Sequence, residues 1–72
     1  MAESVYKVIT VIGSSTESWE KAAMEAVTVA SKTVRDLRVA EVEELDMHID
    51  EGKVTFRAKI RLSFKYHGKG DL

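Results

Sequence analysis

Seventy-two residues with 44% hydrophobic content, no cysteine and a net charge of -1 predict one small folded domain over residues 1–72, in which folding buries only about 60% of the surface that the unfolded chain exposes. The charge balance argues against a general polyanion binder, nucleic acid included, and no run approaches the eighteen or so consecutive apolar residues of a membrane span. With no disulfides available, partner copies are the support left to so thin a core, and the mixed polar start MAESVYK, which lacks a basic leader region, predicts a cytoplasmic protein.

The first predicted element is a strand over Ser4 to Ile12, rich in Val, Ile, Tyr and Thr and followed by Gly13-Ser14-Ser15. Val5, Ile9 and Val11 fall on one face and Tyr6, Val8 and Ile12 on the other, so both faces require cover. Gly13 is expected to turn the chain, with Ser14, Ser15 or Thr16 capping a helix and Glu17 placed to complete a capping box with Ser14. From there to about Leu37, Trp19, Ala22, Ala23, Ala26, Val27, Ala30, Val34 and Leu37 recur at spacings of three and four. That is the pattern of an amphipathic helix. Trp19 is its one large side chain and is read as a core or interface anchor.

Arg38 to Asp50 reads as a second strand whose apolar residues change phase, from Ala40 and Val42 to Leu45, Met47 and Ile49. One extra residue near Glu43 and Glu44 would restore a common face, so a bulge is expected there. Val39, Glu41 and Asp46 then point away from the helix. Asp50-Glu51-Gly52-Lys53 is a hairpin turn. The third strand, Val54 to Tyr66, alternates apolar and polar side chains over thirteen residues, a single dry face roughly 43 Å long. Centring the turn on Glu51 and Gly52 sets Ile49 against Val54, Met47 against Phe56, Leu45 against Ala58, Asp46 against Arg57 and Glu44 against Lys59. The tail His67 to Leu72 has turn-like composition. The fold class is therefore α+β, a βαββ chain in which one helix crosses over a three-stranded antiparallel sheet. Phe64 and Tyr66 are expected to overhang that helix and to seek cover in a closed homo-oligomer.

Nearly the whole chain, Val5 to Tyr66, resembles the dodecin family. The resemblance is carried by VYKV at the start, by Gly13, Ser14, Ser15 and Ser18 at the strand-to-helix passage, by Ala40-Glu41-Val42, and by the aromatic Phe64 in the last strand. It implies a sheet wrapped around the helix, and a hollow shell of twelve copies that stores a small planar ligand of the flavin type (riboflavin, FMN or lumichrome). The positions implied to contact the ligand are Val39, Glu44 and Arg57. Flavin-binding dodecins resemble one another in a Trp directly before the A-E-V or F-E-V motif and a Gln in the last strand. Here Val39 and Arg57 stand at those positions. Valine has no π face to stack on a ring and arginine cannot accept a hydrogen bond, so weakened or lost flavin affinity is expected.

This departure is similar to the branch called calcium dodecins. Glu41, Glu43 and Asp46 are the candidate ligands of a calcium ion, which favours several carboxylate and carbonyl oxygens. A solvated or salt-bridged acidic face against Arg57, Lys59 and Arg61 is the plainer reading of the same residues. A purely structural shell completes the alternatives. His48, His67 and the serines form no catalytic arrangement, and no enzyme is expected.

Overall fold

The computed structural model describes residues 4–66. Its elements are β1 (Tyr6–Ser15), α1 (Trp19–Ala30), β2 (Leu37–Asp50) and β3 (Lys53–Lys65). They form the expected βαββ arrangement with sheet order β1-β3-β2, and both neighbours of β3 run antiparallel to it. The molecule is a blade of 53 × 19 × 15 Å. The predicted tail His67 to Leu72 lies outside the described residues.

The hairpin has the register set by its alternating faces. Ile49 faces Val54, Met47 faces Phe56, Leu45 faces Ala58, Asp46 faces Arg57 and Glu44 faces Lys59. Glu51 and Gly52 both have positive φ, at 51° and 79°, as the favoured two-residue hairpin turn requires. The predicted bulge is present: Val42 pairs with Ile60 and Glu44 with the next residue of β3, Lys59, leaving Glu43 as the extra one. A second irregularity, between Leu37 and Val39, was not signalled by the apolar pattern.

The helix differs from its expected extent. It spans Trp19–Ala30, twelve residues, not Ser14 or Ser15 to Leu37. Its N-cap is Ser18, whose hydroxyl accepts from Lys21 N–H at 3.0 Å, because β1 continues through Ser14 and Ser15 to pair with Arg57 and Phe56. Those two serines are spent on the ladder, and no capping box forms at Ser14. At the other end Ser31 closes the helix, its N–H donating to Val27 O and its hydroxyl to Thr28 O. The chain then leaves the helix path through Asp36, whose φ of 60° no α-helix can hold. Val34 and Leu37 keep the helical spacing but belong to the return segment and to β2.

Gly13 is not the turn that the sequence suggested. It sits inside β1 opposite Ala58, and a Cβ there would lie 2.1 Å from the Ala22 carbonyl oxygen and 2.9 Å from the Ala26 side chain. The glycine is what lets the alanine stripe of α1 rest on the strand. The resulting core consists of Ala22, Ala26, Ala30, Ala58, Ile60 and Leu62. Among the described residues only Ile60 and Leu62 are large and fully buried, each contributing about 1.5–3 kcal/mol by leaving water.

The helix packs on β1 and β3 and scarcely reaches β2. As a result the helix-side face of β2 is bare: Val42, Leu45, Met47 and Ile49 are 48 to 66% exposed. Phe64 and Tyr66, expected to overhang, are instead half-buried. The return segment brings Leu37 opposite Phe64, and the Lys7 ammonium lies 5.5 Å from the centre of the Tyr66 ring. The overhang exists, but the hairpin arm and the outer side of β1 carry it. On β1, Tyr6, Val8 and Ile12 are each at least half exposed.

Candidate functional site

All the sequence-predicted site residues lie on β2 and β3, and all are partnered on the face away from the helix or at the bulge. Val39 faces Ser63, Glu41 faces Arg61, Glu44 faces Lys59 and Asp46 faces Arg57. Ser63 in turn faces Val8 of β1, so Val39 belongs to a short cross-strand row, Val8-Ser63-Val39, with 58% of Val39 open to solvent. There is no ring in that row to stack on a planar ligand.

Arg57 and Asp46 form a two-point pair, Nε to Oδ1 at 2.7 Å and Nη2 to Oδ2 at 2.8 Å. This is the fork geometry that makes arginine and carboxylate strong partners. Arg61 donates to Glu43 Oε2 at 2.6 Å and lies 3.7 Å from Glu41. The bulge explains this double engagement, since the extra residue Glu43 is added on the strand between Glu41 and Glu44. Lys59 lies 3.9 Å from Glu44. Two carboxylates, Glu43 and Asp46, are therefore firmly held, whereas Glu41 and Glu44 are loosely paired.

Protonation follows this division. The hydrogen bond from Arg57 holds the Asp46 carboxyl below its ordinary value, and the hydrogen bond from Arg61 does the same for Glu43; in each case desolvation opposes the shift and the nearby positive charge adds to it. A carboxylate whose pKa is lower in the folded chain stabilises the fold above its unfolded pKa, and that contribution is lost as the pH falls through the folded value. Stability should thus decline on acidification below the ordinary carboxylate range, and Asp46→Asn should flatten the decline. Thermal unfolding across an acid pH series measures both. The effect should be small and should shrink further in salt, because the pairs are open to water.

A calcium ion takes six to eight oxygen ligands. Among the described residues of one protomer, no three acidic or histidine side chains come together as an ion site. The donors of a single copy therefore do not fit such an ion. A groove of about 250 Å³ between β1 and α1, lined by Val11, Gly13, Ala26 and Val29 among others, includes none of the predicted site residues. Among the described residues, no helix is long and apolar enough to cross a membrane.

Trp19 makes the anchoring contact that its helical position suggested. Its ring meets Phe56 edge-on, with centroids 5.0 Å apart and planes at 69°. The sequence did not disclose its second contact, an indole N–H donating to the Asp46 carbonyl oxygen at 3.0 Å. A bond from a side chain to the main chain 27 residues away leaves no mark on periodicity.

The βαββ blade with its charged outer face matches one protein family. The model described as Dodecin covers residues 5–67, and the chain belongs to the dodecin family. The calcium dodecin of Mycobacterium tuberculosis is 57% identical over 63 residues, which span 86% of this chain and 89% of that protein. A crystal structure of the M. tuberculosis calcium dodecin, described as a calcium-chelating antigen with a calcium-binding site, is similar at a TM-score of 0.84 and 53% identity, over 96% of this chain and all of that one. A dodecin from Streptomyces coelicolor is similar at a TM-score of 0.85 and 33% identity, over 92% and 96% of the two chains.

Proposed function

We propose that this chain closes with copies of itself into a hollow shell of twelve and holds calcium ions, in place of stacked flavins, where its acidic strands meet at subunit contacts. The observation that carries the reading is the outer face of β2. Val39 stands where flavin-binding relatives have a tryptophan, and beside it runs a carboxylate row whose members Glu41 and Glu44 are only loosely paired, at 3.7 and 3.9 Å. The 57% identity with a calcium dodecin supports the choice of ion. Since one copy lacks the donors, the site needs carboxylates from more than one subunit. Of the candidates Glu41, Glu43 and Asp46, Glu41 is the least committed and is the first ligand. Calorimetric titration of the chelator-treated protein with calcium chloride should show saturable binding. Because ligand charge sets calcium affinity, Glu41→Gln should weaken it by about tenfold. No heat of binding in the wild-type protein would reject calcium.

A second reading, weak retention of a flavin-type ring, is supported by membership of the family. Under it riboflavin fluorescence is quenched only at high protein concentration. Val39→Trp then tightens binding by about two- to tenfold, the equivalent of one aromatic contact. No gain in that variant would mean that the pocket is closed.

A further inference from the structure

We propose that Trp19 is a positioning residue that fixes the outer-face ion pair from the inner side of the sheet. Trp19 starts the helix and packs on Phe56, while Arg57, the next residue of β3, points to the opposite face. The indole N–H bonds the main-chain oxygen of Asp46 at 3.0 Å, and the carboxylate of that same residue holds Arg57 at 2.7 and 2.8 Å. One residue of β2 is thus gripped through its carbonyl from the helix and through its carboxylate from β3. The helix has few other contacts with β2, so this bond is its direct tie to the acidic strand, whose register the ladder to β3 already sets. It also keeps the arginine fork committed to Asp46 and away from any planar ligand beside Val39. The consequence for ion affinity rests on the calcium reading above; the positioning does not.

A double-mutant cycle on the full chain separates the two. Trp19→Phe keeps a ring against Phe56 but removes the donor, and Arg57→Gln removes the fork. Urea unfolding of wild type, both single variants and the double variant is measured at one protomer concentration. Since the two side chains lie on opposite faces, independent roles give additive effects. Coupling through Asp46 should make the unfolding constants depart from additivity by about threefold or more. Additivity overturns the proposal, whether or not calcium binds. In calcium titrations, Trp19→Phe should bind the ion about two- to tenfold more weakly, the worth of one hydrogen bond. Non-additivity with no calcium uptake by the wild type would sink the calcium reading and leave the positioning role intact. Should Trp19→Phe fail to fold, the emission of Trp19, the single tryptophan of the sequence, decides in Arg57→Gln: a displaced maximum supports the tie and an unchanged one overturns it.

Discussion

Gly13→Ala is expected to be among the most damaging single-methyl changes in this chain. The added carbon would sit 2.1 Å from the Ala22 carbonyl oxygen and 2.9 Å from the Ala26 side chain. Backbone cannot swing aside as a long side chain can, so the helix must lift off β1. Overpacking a tight contact typically costs about 1–3 kcal/mol, and a clash with main chain belongs at the upper end. Lifting the helix also opens the alanine stripe that forms half of the buried core. A fall of roughly 10–20 °C in the thermal midpoint is expected for a domain of this size. A midpoint within a few degrees of the wild type would show that the helix rests on β1 more loosely than these distances state.

Leu45→Glu is expected to abolish assembly while leaving the hairpin register intact. Leu45 lies on the helix-side face of β2, opposite the fully buried Ala58, and is 48% exposed in the single copy. If copies cover that face, the substitution places a carboxylate in each contact at a cost of about 3 kcal/mol or more per copy, repeated around the shell. In a lone protomer the same substitution would touch only solvent and change little. Sedimentation of the variant should therefore show small species where the wild type sediments as a large one. Unchanged sedimentation would remove β2 from the contact surface.

How much of this could be read in advance depended on whether a residue's neighbours are set by local pattern. The hairpin could be read almost residue by residue. A strand with one dry face has its register fixed by that face, since a slip of one residue would turn Ile60 and Leu62 outward. The bulge at Glu43 was visible for the same reason, as the only way to bring Val42 and Leu45 to one side. The helix end was not visible, because Val34 and Leu37 continue the spacing of three and four after the chain has left the helix. Gly13 misled because a glycine followed by two serines carries the chemistry of a turn, and the demand that keeps it is an approach by residues nine and thirteen positions later. In the candidate site, the pairs of Asp46 with Arg57 and of Glu44 with Lys59 followed from register. The grip of Trp19 on Asp46 depends on an indole reaching a main-chain oxygen 27 residues away, and the division of Arg61 between Glu41 and Glu43 on side-chain placement at a bulge; no periodicity records either.

Among the described residues, the core of the protomer is four alanines and two larger residues, while twelve large apolar side chains stay 39 to 66% exposed. In the proposed shell copies shelter one another's apolar surface, and the enclosed sites follow from that. Light scattering on a sizing column at low micromolar protomer tests it most directly. The predicted mass is roughly twelve times the 8.1 kDa of the chain, with the Trp19 emission maximum unchanged on dilution. A folded species of 8.1 kDa, stable at every dilution, would contradict it.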